Sequence, residues 1–414
     1  MDAPEIKLLI GLKPEEIIQW FKRKGYNISW NWQDTWQVAH TKAFIVAKAM
    51  RLDILSDIRN EVQKALEEGT TFETFKQNLK PILKAKGWWG KVKAKEVPSD
   101  VQLPPDIDPE QEVQLGSPWR LKTIYRTNIS VAYAAGKYKN MVDNISNKPY
   151  WMYSAVLDQN TRPSHRALHG KVFRADDPIW DKIYPPNDWN CRCSVIPLDN
   201  GDLEELNLKV EKSDASILKQ IKIGKGWDYN VGKAFLSFDN TFDGNFKINP
   251  GQPDYKNFGR PSVKDVKNRL EAPDKFPSIH SIGEKFIELL KKEFELNNNP
   301  YSIITTADDD ISLFDLEHLK HIYQKKDGRE RYAPLIKLTL QNPFEVYLTE
   351  YINEKNQIEL RKTYIGLFKD KETKEDIFIV LRQSKDGFVF WNSFERRTPQ
   401  MDKLRKGYLK YSKD

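Results

Sequence analysis

The sequence predicts a multi-domain protein with an all-α N-terminal domain, a loop-rich α+β domain, and a C-terminal α+β domain in which helices precede a four-stranded antiparallel sheet. Three observations lead to this prediction. Apolar residues recur at helical spacing in residues 1–92, prolines interrupt residues 93–118, and four strand-like runs follow residue 343. A chain of 414 residues with 39% hydrophobic content is long enough for more than one core.

Residues 1–92 are predicted to form the helical domain. Apolar side chains between Trp36 and Leu66 return at the spacing of one helix face. Such a stripe is expected to pack against a partner helix. The proposed starts are Pro14 for a first helix, Asp34 or Thr35 for a second, and Thr70 or Thr71 for a third, with Gly25 and Gly69 as stops.

The middle of the chain is expected to be rich in loops. Residues 93–118 lack periodicity and contain repeated prolines, so they are predicted to be a linker. Residues 119–200 are predicted to be a domain, with a helix over residues 119–143 and strands near residues 150–157 and 194–196. Residues 201–274 are rich in Gly, Asn, Pro and Lys and are predicted to be an extended connection.

Residues 275–414 are predicted to form a separate α+β domain. Helices are expected over residues 313–325 and 331–340, followed by four runs rich in β-branched and aromatic residues. The Lys385-Asp386-Gly387 sequence is typical of a hairpin turn between the last two runs. The four predicted strands of this antiparallel meander are residues 344–351, 358–368, 376–383 and 387–394.

Bulk properties limit the class of protein. The net charge of +7 and the pI near 8.9 permit contact with nucleic acid, although the charges are spread along the chain. No apolar run approaches the roughly 20 residues of a membrane helix, so no membrane association is expected. The two cysteines, Cys191 and Cys193, are too close for an unstrained disulfide, which is consistent with the reducing cytoplasm.

Four residues of the loop-rich domain have the chemistry of metal ligands. His165 and His169 lie four positions apart, so both imidazoles would share one face of a helix. Cys191 and Cys193 follow later in the chain, and two imidazoles with two thiolates suit a structural tetrahedral Zn²⁺ site. The alternative is a structural cluster in which His165 and its polar neighbours only make hydrogen bonds.

The same segment resembles the Mu F-type minor head proteins of tailed phages and prophages. The resemblance is carried by an Asp-x-x-Thr-Arg-x-x-His-x-x-Leu-x-Gly run from Asp158 to Gly170 and by a run from Pro185 that ends in Cys-Arg-Cys at Cys193. It extends over about residues 1–260 and defines a Mu F-like head morphogenesis domain at residues 119–200. The resemblance implies a virion or procapsid component that acts near the portal, with portal and capsid proteins as partners.

Residues from about 275 onward resemble the phage-associated members of the barnase, EndoU, colicin and RelE-like nuclease superfamily. The resemblance implies a toxin ribonuclease that needs no metal or other cofactor, with host RNA or phage DNA and an immunity protein as partners. It would act from the virion or in the host cytoplasm. The residues that carry the likeness are 318–322, Arg329, Arg331, 339–343, Arg361, Lys362, 391–394 and 404–408.

Cleavage of RNA without a metal needs a base for the 2′-hydroxyl proton, an acid for the leaving 5′-oxygen, and cations for the charge on the phosphorane. His321 is the first acid or base candidate, because an imidazole changes charge near neutral pH. His318 ranks behind it, since Asp315 and Glu317 indicate a solvated turn. The other predicted catalytic residues are Arg331, Arg361, Lys362 and Ser393, and the predicted RNA contacts are Arg329, Asn392, Arg397, Arg405 and Lys406.

Two other functions remain open from the sequence. In the first, the C-terminal domain is inactive and the protein is a purely structural virion component that binds only a partner or DNA. In the second, the C-terminal domain is a transferase that modifies a nucleotide or a protein, because a mixed helix and sheet scaffold does not fix the chemistry. Incubation of residues 275–414 with total tRNA, compared with His321→Ala, tests the first alternative. The chemical structure of the RNA ends tests the second, because a cyclic phosphate marks attack by the 2′-oxygen.

Overall fold

A computed structural model divides the chain into two units, residues 1–21 with 28–238 and residues 22–27 with 239–414. We refer to them as the N-terminal unit and the C-terminal unit. The residues that the structure describes are 14–30, 43–97, 103–104, 106–213, 221–236, 246–296, 301–315, 317–318, 328–384, 386–395 and 398–413.

Both units contain helices and strands. The helices are α1 (Pro14–Lys22), α2 (Leu52–Glu68), α3 (Phe72–Ala85), α4 (Pro118–Asp143), α5 (Pro163–Arg166), α6 (Trp180–Ile183), α7 (Asn200–Glu205), α8 (Val231–Leu236), α9 (Ile279–Ile282), α10 (Lys285–Glu293), α11 (Pro334–Gln341) and α12 (Thr398–Lys403). The strands are β1 (Gly25–Tyr26), β2 (Ala43–Phe44), β3 (Lys91–Lys93), β4 (Glu112–Gln114), β5 (Tyr150–Ser154), β6 (Val172–Arg174), β7 (Ser194–Leu198), β8 (Lys247–Ile248), β9 (Leu270–Glu271), β10 (Tyr301–Thr305), β11 (Ile311–Asp315), β12 (Glu345–Ile352), β13 (Ile358–Lys369), β14 (Asp376–Gln383), β15 (Val389–Glu395) and β16 (Tyr408–Ser412).

Three mutually packed helices, α2, α3 and α4, form the first part of the N-terminal unit. α2 buries Ile58 and Val62, and the buried residues recur at the helical spacing seen in the sequence. The Thr71 hydroxyl caps α3 by accepting a hydrogen bond from the backbone N–H of Thr74 (3.3 Å). Gly69 ends α2 with a φ of +65°, a left-handed conformation that glycine adopts without steric cost.

This region differs from the predicted all-α domain in two places. The predicted helix from residue 34 or 35 is not continuous to Leu66, because Ala43–Phe44 form β2, Lys48 has a φ of +62° and Arg51 is extended, so that α2 begins at Leu52. Residues 31–42 lie outside the described part. In addition, β3 pairs antiparallel with β4, so ordered strand pairing extends into the predicted linker at residues 93–118.

The loop-rich part of the N-terminal unit is built on α4 and a three-stranded antiparallel sheet in the order β6-β5-β7. Trp151 of β5 packs against Tyr138 of α4 and Trp180 of α6, with ring centroids 5.6 Å apart in both pairs. α8 packs on α4 at Gly232, where a Cβ atom would overlap the Tyr138 side chain. This aromatic core supports the loops that connect the short helices α5 and α6 to the sheet.

The C-terminal unit contains an antiparallel sheet in the order β15-β14-β13-β12-β16. The strands β12 to β15 lie close to the four predicted runs, and Gly387 adopts a φ of +91° in the predicted turn. The sheet is larger than predicted because β16 and β8 both pair with β12, and β9 runs parallel to β13. The segment predicted as an extended connection at residues 201–274 therefore contributes two short strands to this sheet.

Each face of this sheet carries part of a core. On one face, Phe286 of α10 and Leu335 of α11 pack in a cluster with Val346 and Ile379. On the other face, Met401 of α12 belongs to a cluster with residues of β12, β13 and β14. Strand residues alternate between the two sides of a sheet, so Arg361 and Arg382 lie on the same face as this second cluster.

The predicted helix at residues 313–325 is not formed at its start. Residues Ile311–Asp315 form β11, which pairs antiparallel with β10. All five residues of β11 are buried, and a short continuous apolar run cannot be assigned to helix or strand from its spacing. Residues 316 and 319–327 lie outside the described part. The helix predicted at 331–340 is confirmed as a 3₁₀ turn, Arg329–Tyr332, followed by α11.

Among the described residues, no helix combines the length and the apolar composition that crossing a bilayer requires.

Candidate functional site

A polar cluster lies on the face of the C-terminal sheet beside Met401 and its neighbours. Arg361 of β13 and Arg382 of β14 are 5% and 4% exposed, and their guanidinium carbons lie 5.1 and 4.3 Å from the centroid of the Phe246 ring. Tyr351 lies 5.5 Å from the Arg382 guanidinium. Two guanidinium groups therefore converge on one enclosed surface, where Arg361 is also paired with Glu359 (2.7 Å). Guanidinium groups are the side chains that bind a phosphate group in a planar, two-point manner.

His318 lies next to this cluster. Its Nδ1 atom is 2.5 Å from Oδ1 of Asp315, and its ring stacks on the Phe388 ring with centroids 4.9 Å apart and planes 6° apart. Phe390 contacts both the His318 ring, with centroids 4.5 Å apart, and the Arg382 guanidinium, 5.9 Å from its ring centroid. The imidazole and the arginine are thus neighbours across one aromatic side chain.

Asp315 orients the His318 ring. Burial would raise the pKa of Asp315, but hydrogen bonds from the side chain and backbone of His318 outweigh burial and lower it. An ionised carboxylate favours the tautomer with the proton on Nδ1, which leaves Nε2 to exchange a proton. Nε2 is buried and has no hydrogen-bond partner within the described ranges. His318 and Asp315 are 8% and 5% exposed, so the solvated turn expected from the sequence is wrong.

Lys362, which was predicted to bind the same phosphate as Arg361, lies in a different environment. Its Nζ atom pairs with the carboxylates of Asp308 (2.8 Å) and Asp310. Burial alone would lower the pKa of Lys362, but the two carboxylates outweigh burial and raise it. The charge of Lys362 is therefore neutralised inside the fold.

Arg405, predicted to contact RNA, is fully buried. Its guanidinium pairs with Glu345 (2.5 Å) and Asp402 (2.8 Å) and lies 4.1 Å from the centroid of the Tyr255 ring. Burial would lower the pKa of Arg405, but the hydrogen bonds and charge of Glu345 raise it. This side chain has no exposed surface for a phosphate, and we assign it a structural role.

The remaining predicted residues of the C-terminal unit are spread over several elements. The Arg331 Nε atom donates to the carbonyl of Phe276 (2.9 Å), and the Lys406 Nζ atom donates to the carbonyl of Pro250 (3.0 Å). Arg329 begins the 3₁₀ turn, Asn392 and Ser393 lie in β15 with Ser393 opposite Val380 in the register, and His321 and Arg397 lie outside the described residues.

In the N-terminal unit, the segment from Asp158 to Cys193 is held by a forked ion pair. Both terminal nitrogens of Arg192 bond the Asp158 carboxylate, at 2.6 and 2.5 Å. The Arg192 hydrogen bond is the main cause that lowers the pKa of Asp158. Deeper in the same segment, the fully buried Asn187 donates to the Tyr153 hydroxyl (2.9 Å) and the Ile183 carbonyl (2.8 Å).

The side chains of His165, Cys191 and Cys193 lie close together in the same segment. The His165 Nδ1 atom lies 3.7 Å from Sγ of Cys191 and 3.5 Å from Sγ of Cys193, and the three ligand atoms are all within 4.8 Å of one another. The two cysteines are not joined by a disulfide. The hydrogen bond with Cys193, and then that with His165, lowers the pKa of Cys191.

His169, the fourth predicted ligand, lies apart from this group. α5 ends at Arg166, so the expected helical spacing between His165 and His169 does not extend to the second histidine. The His169 side chain is exposed, and its Nδ1 atom accepts a hydrogen bond from the backbone N–H of Ala155 (3.1 Å). The structure thus brings together three of the four predicted ligands.

Sequence reasoning did not identify Arg382 or Tyr351 as site residues. The available signal was a charged residue inside the apolar run of β14, since a buried arginine is unusual without a partner or a function. Tyr351 carries no comparable signal. Its hydroxyl lies 3.0 Å from the Thr363 hydroxyl, a contact that only the strand register defines.

Comparisons with known proteins agree with this division. Residues 56–196 match the family model of Phage Mu protein F like proteins, and residues 285–412 match that of the phage-Barnase-EndoU-ColicinE5/D-RelE like nuclease2 family. The chain is 44% identical over 241 residues to "Putative capsid assembly protein F" of Escherichia phage Mu, which covers 58% of this chain and 52% of that protein. It is 40% identical over 240 residues to the Mu-like prophage FluMu F protein of Haemophilus influenzae, covering 51% of this chain and 55% of that protein.

The chain thus spans about half the length of the relatives it matches. No solved structure matches it. The two family matches do not overlap, and each falls on a region where the structure assembles a distinct polar cluster. This chain therefore joins a Phage Mu protein F like domain at residues 56–196 to a C-terminal domain at residues 285–412 that matches the phage-Barnase-EndoU-ColicinE5/D-RelE like nuclease2 family.

Proposed function

We propose that this chain acts in phage head assembly through its Mu F-like domain and cleaves RNA through its C-terminal domain. The likeness to a capsid assembly protein supports the first part. In this proposal the protein works near the portal, with portal and capsid proteins as its partners, and is present in the virion. The C-terminal domain then acts as a toxin on host RNA in the cytoplasm, and an immunity protein protects the producing cell.

The ribonuclease proposal rests on one observation. His318, hydrogen-bonded to Asp315, and Arg382 both contact the ring of Phe390 and therefore lie close together. An oriented imidazole can transfer a proton, and a guanidinium can stabilise the charge of a phosphorane. Arg361 adds a second cation on the same face of the sheet. These groups supply the chemistry of RNA cleavage from side chains alone, so we propose a mechanism without a metal.

In this mechanism a base removes the proton of the 2′-hydroxyl, and the oxygen attacks the adjacent phosphorus. The bond from phosphorus to the 5′-oxygen breaks, and an acid returns a proton to the leaving oxygen. The products are a 2′,3′-cyclic phosphate and a 5′-hydroxyl. His318 is one proton carrier in our proposal and His321, the candidate from the sequence, is the other.

The test is incubation of the full chain with total tRNA in the presence of a chelator. We expect cleavage with cyclic phosphate ends, and a rate lowered by about 10²- to 10⁴-fold in His318→Ala and in His321→Ala, the range typical of a lost acid or base. His280→Ala is the matched control, because His280 is an exposed histidine of the same unit. It should cleave at the wild-type rate.

The other functions predict different results. Intact RNA in the presence of folded wild-type protein would favour a purely structural role for the C-terminal domain. RNA that gains mass without chain cleavage would favour a transferase. Equal cleavage rates in wild type and both histidine variants would show that neither histidine transfers the proton. That result would not affect the proposed role in head assembly.

A further inference from the structure

The cluster of His165, Cys191 and Cys193 lies in the Mu F-like domain and has no part in the proposed RNA cleavage. His165 is 2% exposed and Cys191 is 6% exposed, while Cys193 is half-buried. Each comes from a different local structure: His165 from α5, Cys191 from the loop after Asn187, and Cys193 from the residue before β7. Side chains from separate segments thus place one nitrogen and two sulfur atoms at a common centre.

The distances match those of a metal site. Zinc bonds of about 2.0 Å to nitrogen and about 2.3 Å to sulfur, at a tetrahedral angle, separate the two ligand atoms by about 3.5 Å. The observed separations from His165 Nδ1 are 3.7 Å to Cys191 Sγ and 3.5 Å to Cys193 Sγ. The side chains would bind a zinc ion with only small adjustments of their present positions.

Hydrogen bonding alone explains this geometry less well. Nδ1 of an imidazole has either one lone pair or one proton in the ring plane, so it forms one good hydrogen bond. Here two sulfur atoms approach the same Nδ1 atom of His165 at similar distances. A cation between the three atoms satisfies all of them at once.

The surroundings hold the two thiols on one side. Arg192, between the two cysteines, forks onto Asp158, so the chain is fixed with the sulfur atoms turned towards His165. Both cysteines also border a cavity of about 130 Å³. This volume has room for a water molecule as a fourth ligand, since a cavity of roughly 10–15 Å³ is enough to hold one.

We infer that His165, Cys191 and Cys193 bind one zinc ion, with the fourth coordination position open to this cavity. The mixed set of imidazole and thiolate donors favours zinc over magnesium or calcium, which prefer oxygen. The ion joins α5 to the start of β7 and closes loops of 26 and 28 residues. Regular structure in this stretch is limited to short elements, so the ion adds a direct cross-link between segments that are otherwise connected through loops.

The test uses the full chain, reduced, stripped with a chelator, incubated with one equivalent of Zn²⁺ and desalted. Elemental analysis should find about one zinc per chain in the wild type and little in His165→Ala or Cys191→Ser. His169→Ala is the matched control, because His169 is an exposed histidine four residues away whose Nδ1 atom is already bonded to Ala155. This variant should retain its zinc.

A second measurement on the wild type covers variants that fail to fold. Co²⁺ in place of Zn²⁺ should give a sulfur-to-cobalt charge-transfer band, and Zn²⁺ should slow the reaction of both cysteines with a thiol reagent. Folded, reduced wild type that shows no charge-transfer band and no protection of its thiols would overturn the site. Zinc that stays at the wild-type level in folded His165→Ala would overturn the assignment of its ligands.

Discussion

Arg361 and Lys362 are neighbours on β13, yet their side chains lie on opposite faces of the sheet. Arg361 pairs with Glu359 (2.7 Å) and stacks on Phe246, whereas Lys362 pairs with Asp308 (2.8 Å) in a different buried cluster. Strand residues alternate between faces, so two adjacent basic residues cannot hold one phosphate together. The basic pair identified in the sequence therefore separates into one site residue and one structural residue.

Arg361→Lys and Lys362→Met should consequently have different effects. Arg361→Lys keeps a charge but loses the planar fork, so we expect a cleavage rate lowered by about 10²-fold with a small change in stability. Lys362→Met removes the closer of two cations from the buried Asp308 and Asp310, the other being Lys410 at 3.4 Å from each, and should cost about 3 kcal/mol of unfolding free energy. Rates per folded molecule and urea unfolding midpoints measure the two effects. A folded Lys362→Met protein as slow as Arg361→Lys would contradict this division.

Arg405→Met tests the buried ion pair with Glu345. Removing the guanidinium takes away the closer of two arginines at this fully buried carboxylate, the other being Arg260 (3.1 Å), so the unfolding free energy should fall by about 3 kcal/mol. Lys403→Met, at an exposed position two residues away, is the control and should be close to neutral. At temperatures where both variants are folded, we expect the salt dependence of RNA binding to equal that of the wild type. A log-log slope reduced by about one unit in Arg405→Met would instead indicate a lost phosphate contact.

The sequence predicted the strands β12 to β15 of the C-terminal sheet but not β16, β8 and β9, which pair with them. The strands β12 to β15 were found because their apolar and β-branched runs are long and the turn at Gly387 has a clear signal. β16 was missed because Tyr408–Ser412 is a short stretch of a lysine-rich tail whose strand form depends on pairing with β12. A strand that forms mainly by pairing with a neighbour has only a weak strand pattern in its own sequence.

The candidate sites follow the same rule. The His165, Cys191 and Cys193 group was predicted because its residue types are informative by themselves, while the position of His169 depended on where α5 ends. His318 was ranked below His321 because acidic neighbours normally indicate solvent. In the fold, burial turns one of those neighbours, Asp315, into the hydrogen-bond partner of the imidazole.

Asp370 should make the stability of the C-terminal unit sensitive to acid. Burial would raise the pKa of Asp370, but hydrogen bonds from Lys275 and from the Tyr332 hydroxyl contribute to a lower value. A carboxyl whose pKa is lower in the folded state stabilises the fold above its unfolded pKa of about 3.9. This contribution is lost as the pH falls from there towards the folded pKa.

The difference in unfolding free energy between wild type and Asp370→Asn should therefore shrink as the pH is lowered from 7 to about 3. Urea unfolding at a series of pH values measures this difference. Asp274→Asn is the control, since the Asp274 side chain is 93% exposed and pairs only at the surface with Lys371. A difference that stays constant over this pH range would show that folding does not lower the pKa of the Asp370 carboxyl.

Gly232→Ala tests the contact between α8 and α4. An added Cβ would overlap the Tyr138 side chain, and Tyr138 packs on both Trp151 and Tyr184. The tyrosine has little room to move, so relief of the overlap must come from a shift of α8. We expect a loss of about 1–3 kcal/mol in unfolding free energy, the usual cost of overpacking.

Gly251→Ala is the matched control for this substitution, because the nearest atom to its added Cβ is 4.0 Å away. It should change the unfolding free energy by less than about 0.5 kcal/mol. Near-ultraviolet circular dichroism should detect the altered aromatic packing in Gly232→Ala and no change in Gly251→Ala. Two variants of equal stability and identical spectra would mean that α8 is not held against α4 at this glycine, and that the aromatic core of the Mu F-like domain forms without it.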